Sequence, residues 1–176
     1  PLGEREAFIQ GMHSLASITA GPLVENLELP PFRHVLDVGG ATGSYTIAFL
    51  RKYPDVQATL FDLPDAVHAA RERLGAARLA DRAHLVSGDF YRDELPSGAD
   101  LAWVSAIIHQ NNRRQNRDLF EKVFRALAPG GLIAIRDVVM RPDRTSPPLG
   151  ALFAINMLVN TEGGGTFTFE EISEDL

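Results

Sequence analysis

The sequence predicts an open α/β sheet of parallel strands with helices on both faces. Two observations support this: short apolar runs alternate with helical stretches, and polar side chains follow the runs. Strand and helix in alternation imply parallel pairing through right-handed crossovers. A chain of 176 residues with 45% hydrophobic content is about one domain long and can bury a sizeable core.

Each predicted strand is an apolar run, and each predicted helix has apolar residues at three- and four-residue steps. The strands are expected at 33–38, 56–61, 84–87, 101–108 and 132–137. The helices are expected at 7–24, 45–52, 65–80 and 112–128. Pro64 suits the first turn of the third helix, Asn112 can cap the fourth, and Pro129-Gly130-Gly131 can end it.

Composition excludes several classes of protein. The net charge of −6 argues against a nucleic-acid groove or an anionic membrane surface, so neither partner is expected. The chain has no cysteine, which excludes a disulfide scaffold and a thiolate metal site. One long uncharged stretch, 145–161, contains two prolines and is shorter than the ~20 residues of a membrane span. The first residues lack a signal-peptide pattern, so we expect a cytoplasmic location.

The first strand runs into a glycine-rich turn that can be compared with known nucleotide-binding patterns. A G-x-G-x-x-G dinucleotide fingerprint from Gly39 fails at Ala41 and Ser44. An acidic-x-G-x-G-x-G pattern fits better, with Asp37, Gly39 and Gly43 in place and Ala41 as the middle residue. Glycines there would let the backbone approach a ligand closely. The alternative is a tight strand-to-helix turn without a ligand.

Carboxylates follow the second and third strands. Asp62 lies 19 residues after Gly43, where a carboxylate can accept both hydroxyls of a ribose; alternatively it caps the next helix. Asp89 and Phe90 together suit an adenine, with a carboxylate for the exocyclic amine and a ring for the base; alternatively Asp89 forms an Asx turn. Few cationic side chains that could bind a pyrophosphate accompany these carboxylates in the sequence. The pattern therefore indicates a nucleoside ligand without phosphates.

These strand ends, taken in order, resemble a known family. The motifs are Asp37-Val-Gly-Gly-Ala-Thr-Gly43, Phe61-Asp-Leu-Pro64, Gly88-Asp-Phe90, Ile107-Ile-His109, and Ala126-Leu-Ala-Pro-Gly-Gly131 with Asp137. From Phe8 to its end the chain resembles the class I S-adenosylmethionine-dependent methyltransferases. More narrowly, it is similar to the small-molecule O-methyltransferases of plant caffeate, hydroxyindole and bacterial polyketide metabolism. The resemblance implies a Rossmann-like, mainly parallel sheet, S-adenosylmethionine as methyl donor with S-adenosylhomocysteine as product, a small aromatic acceptor and no metal.

The resemblance also implies which residues bind the two substrates. Those implied for the cofactor are Gly39, Gly40, Gly43, Asp62, Leu63, Asp89, Phe90 and Ser105, the last standing where plant enzymes carry a lysine. Those implied for the acceptor are Met12, Asn156, Met157 and Asn160. For Met12, a place in an apolar helical core is the alternative.

His109 resembles the general base of the family, and Asp137 the acidic residue that orients it. A phenol has a pKa of ~10 and an ordinary imidazole ~6.5, so complete proton transfer before attack costs roughly 5 kcal/mol. Removal of the proton is therefore expected to accompany attack on the methyl group. Alternatively, His109 serves the backbone at a helix start, and Asp137 pairs with Arg136 or Arg141.

The chain also departs from the family pattern. Asn111 stands where the family often has a tryptophan, and Thr166 stands near the position of a second acidic residue. We expect residues 1–30 to be a helical lead-in that packs on the cofactor site, and 31–176 an incomplete methyltransferase domain. We also expect these 176 residues to lack the N-terminal dimerisation domain of the family and its last two antiparallel strands. The full-length protein is expected to be a homodimer.

Without those strands, 132–135 would form a bare apolar sheet edge, which natural folds cover. We therefore expect the isolated 176-residue chain to bind cofactor weakly and to turn over little. Two other functions remain open: a catalytically silent module that binds the cofactor or dimerises, and a related nucleoside-using transferase such as an aminopropyl transferase. No G-x-S-x-G elbow or H-x-x-x-H metal spacing supports another enzyme class.

Overall fold

A computed structural model describes residue 16 and residues 18–176 of the chain. Its centre is a parallel sheet of five strands: β1 (His34–Val38), β2 (Gln57–Asp62), β3 (Ala83–Ser87), β4 (Ala99–Ser105) and β5 (Leu127–Arg136). The strand order is β3-β2-β1-β4-β5, and all four neighbouring pairs are parallel. The strand order therefore reverses between β1 and β4, which is the topological switch point of the sheet. In α/β sheets, ligands bind beside this point at the carboxyl ends of the strands.

Helices cover both faces of this sheet, which confirms the predicted fold class. They are α1 (18–26), α2 (Ser44–Lys52), α3 (Pro64–Ala76), α4 (Arg113–Ala126), α5 (Pro148–Asn160) and α6 (Phe169–Asp175). A small second sheet pairs β6 (Val139–Met140) with β7 (Phe167–Thr168). Side chains alternate between two cores: Leu101 and Trp103 of β4 join α1, α2 and α3, while Ala102 and Val104 join α4 and α6.

The helix starts follow the predicted local chemistry. Asn112 accepts a hydrogen bond from the Gln115 amide at 2.9 Å, and the Gln115 side chain accepts one from the Asn112 amide at 2.9 Å. This reciprocal capping box satisfies two backbone donors at the start of α4. Pro64 opens α3, where its missing amide hydrogen costs nothing. Both predictions are confirmed.

Three predicted boundaries are wrong. β4 ends at Ser105 and not at residue 108, because Ala106 is left-handed (φ +57°) and a 3-10 turn follows at Ile108–Gln110. α3 ends at Ala76 and not at residue 80, and a second 3-10 turn follows at Ala80–Arg82. β5 begins at Leu127, directly after α4, and not at residue 132, so the Pro-Gly-Gly segment lies within the strand. The pairing of β4 with β5 has a register shift beside this segment, between Ala99 and Leu101. Sequence periodicity does not detect such irregularities.

The two ends of the described chain also bear on the predictions. Of the lead-in segment 1–30, α1 and the residues after it are described; Ala20 and Val24 of this helix are buried in the core. β5 is an edge strand in the described part of the chain, and Leu132 on it is 39% exposed.

Among the described residues, no helix is long and apolar enough to cross a membrane. The same residues hold no group of three or more potential metal ligands.

Candidate active site at the carboxyl ends of the strands

The glycine turn after β1 is held by a buried carboxylate. Asp37 Oδ2 accepts hydrogen bonds from the Thr46 hydroxyl at 2.6 Å and the Thr46 amide at 3.1 Å, which ties the turn to the first residues of α2. Burial raises the pKa of Asp37 to about 6, the Thr46 hydroxyl opposes this rise, and the nearby Asp62 carboxylate adds to it. A Cβ at Gly40 would lie 2.8 Å from Asp37 Cγ and 2.7 Å from Leu60 Cγ, so no side chain fits there.

Gly39 brings three strand ends into contact. Its φ of +66° is in the left-handed region, and its amide donates to Phe61 O of β2 at 2.8 Å. A Cβ at this position would collide with the Ile107 side chain after β4 and lie 3.6 Å from the Phe90 ring after β3. The turn is therefore packed between residues that follow β3 and β4. Gly43, also left-handed at φ +78°, precedes α2 as its N-cap.

Asp62 at the end of β2 faces the glycine turn. Its Oδ2 accepts from the Ala41 amide at 2.7 Å and its Oδ1 from the Leu63 amide at 2.6 Å. The alternative of a helix cap is wrong, because the N-cap of α3 is Leu63. Burial raises the pKa of Asp62, and the two amide bonds oppose this rise. Each carboxylate oxygen keeps a second acceptor site, so the group can still receive hydroxyl donors from a ligand.

The loop after β3 begins with an Asx turn, as one of the two interpretations of Asp89 predicted. Asp89 Oδ1 accepts from the Tyr91 amide at 2.9 Å, and Oδ2 lies 3.7 Å from Arg92 Nε. This turn does not exclude a ligand, because the side chain remains one-third exposed. The Phe90 ring packs against that of Tyr91 with centroids 4.6 Å apart. From α4, Lys122 Nζ donates to Phe90 O at 2.8 Å and holds the loop in place.

Three buried donors on one side of the sheet lack acceptors among the described residues. They are Ser105 Oγ and Trp103 Nε1 on β4, and the Tyr45 hydroxyl on α2. Ser105 and Trp103 are two residues apart and share a face of the strand, and the Tyr45 ring lies 5.2 Å from that of Trp103. Buried polar atoms without partners are rare and call for an explanation. A ligand that carries hydrogen-bond acceptors would supply the missing partners.

His109 lies in the 3-10 turn after β4 and is paired with Asp137 after β5. Nδ1 and Asp137 Oδ1 are 2.8 Å apart, and the side chains are 16% and 2% exposed. Asp137 thus pairs with His109, and neither Arg136 nor Arg141 forms an ion pair with it. A carboxylate only accepts hydrogen bonds, so in the neutral imidazole Nδ1 carries the proton and Nε2 has the free lone pair of a base. Asp137 Oδ1 also accepts from the Val138 amide at 2.7 Å, while buried Oδ2 has no partner among the described residues.

Sequence reasoning missed Phe153 of α5. Its ring meets the His109 imidazole edge to face, with centroids 4.9 Å apart and planes at 78°. Of the predicted acceptor residues on the same helix, Met157 is half-buried, while Asn156 and Asn160 are exposed and bonded to each other. The four-residue step from Phe153 to Met157 is the signal that could have indicated this residue. Met12, the remaining predicted acceptor residue, lies outside the described residues.

The turn that carries His109 is supported from two sides. The Gly165 amide donates to His109 O at 2.8 Å, and a Cβ at Gly164 would collide with the same carbonyl oxygen. Asn111, at the position expected to contact the acceptor in related enzymes, is fully buried beneath the turn. Thr166, at the position of a second acidic residue, is buried, and its carbonyl accepts from Arg144 at 2.8 Å. Neither residue therefore serves as an exposed polar contact for a substrate.

This sheet, with a glycine turn, acidic strand ends and a paired histidine at one edge, is the Rossmann-like fold of methyltransferases. A family model for the O-methyltransferase domain matches residues 2–174. The chain belongs to this O-methyltransferase domain family, as the strand-end motifs predicted.

Named relatives agree with this assignment. The chain is 35% identical over 158 residues to 3-hydroxy-5-methyl-1-naphthoate 3-O-methyltransferase of Streptomyces sahachiroi, covering 90% of this chain and 46% of that protein. It is 34% identical to acetylserotonin O-methyltransferase of Gallus gallus, covering 89% and 44%. The crystal structure of human N-acetylserotonin methyltransferase in complex with S-adenosylmethionine superposes with a TM-score of 0.86 at 27% identity, covering 99% and 50%. The chain thus spans about half the length of the relatives that it matches.

Proposed function

We propose that the protein transfers a methyl group from S-adenosylmethionine to a hydroxyl of a small aromatic acceptor, with His109 as general base. The observation that carries this proposal is the buried Asp137–His109 pair, at the same sheet edge as the glycine turn and Asp62. Two relatives are named for a hydroxynaphthoate and for acetylserotonin, which supports an aromatic acceptor that carries a hydroxyl group.

The residues at the strand ends fit the proposed cofactor. Asp62 keeps acceptor sites for ribose hydroxyls beside the amides of the glycine turn and Leu63. Asp89 keeps an exposed carboxylate oxygen for an amine, next to the ring of Phe90. The unpartnered hydroxyl of Ser105 offers a donor to the carboxylate of a methionine moiety. The partly exposed backbone of Gly39 and Gly40 can lie against the ligand, whereas Gly43 is buried against Leu60, Ala70 and Leu74 and shapes the turn.

The chemistry assigned to His109 is proton removal during attack. When bound, S-adenosylmethionine supplies a methyl group on a sulfonium, whose sulfur takes the electron pair of the breaking carbon–sulfur bond. His109 Nε2 accepts the hydroxyl proton while the acceptor oxygen forms its bond to the methyl carbon. Asp137 holds the imidazole through Nδ1 and stabilises the positive charge that develops on the ring. Positioning supplies ~7–11 kcal/mol of the barrier reduction, and the base a further 10²–10⁴-fold.

Two substitutions separate cofactor binding from catalysis. His109→Ala should leave the affinity for S-adenosylhomocysteine unchanged and lower the methylation rate of N-acetylserotonin or a hydroxynaphthoate by roughly 10²–10⁴-fold. Asp62→Ala should weaken S-adenosylhomocysteine binding in calorimetry by about 10- to 150-fold, as for a lost hydrogen bond to a charged group. His68→Ala is the matched control, because His68 is an exposed side chain on α3.

The same experiment distinguishes the other functions. A full-length protein that binds S-adenosylhomocysteine but methylates no phenol would be a silent cofactor-binding module. Transfer of an aminopropyl group to polyamines, in place of a methyl group to phenols, would indicate an aminopropyl transferase. A His109→Ala variant with the rate of the unmodified protein would refute the assignment of the base.

A further inference from the structure

Two asparagines are buried beneath the turn that carries His109. Asn111 is 0% exposed and Asn116 of α4 is 2% exposed. A buried amide is costly unless its oxygen and its NH₂ group are both hydrogen-bonded. The partners of these two amides therefore show what the pair supports.

The amides form one continuous chain of hydrogen bonds. The Tyr91 hydroxyl lies 2.5 Å from Asn111 Oδ1, Asn111 Nδ2 lies 3.0 Å from Asn116 Oδ1, and Asn116 Nδ2 lies 3.2 Å from the Ile108 carbonyl. The direction of the chain follows from its last bond, because a carbonyl oxygen only accepts. Asn116 must donate to Ile108, so Asn111 must donate to Asn116, and the Tyr91 hydroxyl must donate to Asn111.

The two ends of this chain lie at the two halves of the site. Tyr91 belongs to the loop after β3: its amide donates to Asp89 and its ring packs on Phe90. Ile108 directly precedes His109 in the 3-10 turn. The network thus connects the loop proposed to bind the cofactor with the turn that carries the proposed base.

The turn depends on this support because it is a single 3-10 turn, whose hydrogen-bond geometry is poorer than that of an α-helix. Its two internal bonds, Gln110 amide to Ile107 O and Asn111 amide to Ile108 O, are both 3.2 Å long. A single 3-10 turn has poor hydrogen-bond geometry and does not hold its shape alone. The Asn116 bond to Ile108 O and the Gly165 bond to His109 O hold it from outside.

We infer that Asn111 is a positioning residue for His109, and that Tyr91 couples the alignment of the base to the order of the Asp89–Phe90 loop. The inference rests on the proposed role of His109 as general base. Asn111 acts through the backbone of the turn and does not touch a substrate. A lost bond in the network should therefore reduce kcat more than it changes substrate affinity.

Tyr91→Phe removes the first bond with the smallest change of shape, and Asn111→Leu removes both bonds of Asn111, to Tyr91 and to Asn116, with a side chain of similar size. We expect kcat to fall about tenfold to a hundredfold in each variant, with S-adenosylhomocysteine affinity within about threefold of the unmodified protein. Tyr53→Phe is the matched control, because Tyr53 packs among the rings of Phe32 and Phe49 away from this network.

A double-mutant cycle separates positioning from general damage. In a His109→Ala protein, Tyr91→Phe should change the remaining rate by less than about twofold, because there is no base left to align. An equal loss of rate with and without His109 would overturn the positioning role and leave the proposed function intact. A His109→Ala protein with an undiminished rate would overturn both.

A measurement that needs no acceptor gives a second test. In protein labelled with ¹⁵N-histidine and saturated with S-adenosylhomocysteine, Tyr91→Phe should shift or broaden the imidazole signals of His109 and leave those of His68 unchanged. Unchanged His109 signals in the folded variant would contradict the inference.

Discussion

The contact between His109 and Asp137 allows a quantitative prediction for Asp137→Asn. The substitution keeps an oxygen that can accept from both His109 Nδ1 and the Val138 amide, removes the negative charge, and places an NH₂ group at the buried Oδ2 position. Because Asp137 is 2% exposed and His109 16% exposed, solvent screens this pair little. The effect of the charge should therefore be visible in the rate.

The size of the effect follows from the geometry. Two unit charges about 4 Å apart interact by about 4 kcal/mol at an effective dielectric constant of 20. This energy is gained only as the imidazole becomes positive during proton removal, so it lowers the barrier and not the energy of the bound state. A neutral amide recovers about 1 kcal/mol through its hydrogen bond. The net loss of about 3 kcal/mol corresponds to a rate lower by about two orders of magnitude.

Single-turnover formation of labelled methyl ether under saturating conditions measures this loss, and calorimetry with S-adenosylhomocysteine shows whether the cofactor still binds. Asp118→Asn, which removes an exposed carboxylate from α4, is the matched control and should be silent. If folded Asp137→Asn protein reacts within threefold of the unmodified rate, His109 does not gain positive charge in the transition state. The proposed base would then be wrong.

Three further predictions concern the elements around the site. As the pH falls from 7 to 4, the unfolding free energy should rise by roughly 2 kcal/mol through Asp37, because its folded pKa of about 6 lies above the unfolded value of 3.8. Asp37→Asn should remove this part of the pH dependence in denaturation followed by the fluorescence of the single tryptophan, and an unchanged slope would contradict the prediction. Gly40→Ala should destabilise the protein by about 1–3 kcal/mol in denaturant melts, because the added Cβ would lie 2.7 Å from Leu60 Cγ. Gly75→Ala should stabilise it by about 0.5–1 kcal/mol, because a Cβ there meets open space on α3. Equal effects of the two substitutions would refute the steric argument. Lys122→Met should weaken S-adenosylhomocysteine binding by roughly tenfold in calorimetry, because the loop that contains Phe90 loses the donor of two hydrogen bonds. Unchanged affinity would show that the loop does not depend on Lys122.

Much of the architecture could be predicted because it depends on periodicity and on local chemistry. Alternating apolar runs indicated the parallel sheet, and Pro64 and Asn112 indicated the starts of two helices. Parallel strands bring their carboxyl ends to one edge, so Asp62 and His109 could be placed at the same edge before any distance was known. The boundaries that were wrong lie at irregular backbone, such as left-handed Ala106, for which no side-chain pattern exists.

By itself, the amino-acid sequence determined the fold class, the family, and the strand end to which each candidate residue belongs, since these follow from patterns along the chain. Only the tertiary structure decided which side chains meet: that Asp137 pairs with His109, that Phe153 packs on its ring, and that buried Asn111 joins Tyr91 to the turn. These contacts join residues from 20 to 44 positions apart. No local spacing records them, because they depend on how helices and loops pack against the sheet.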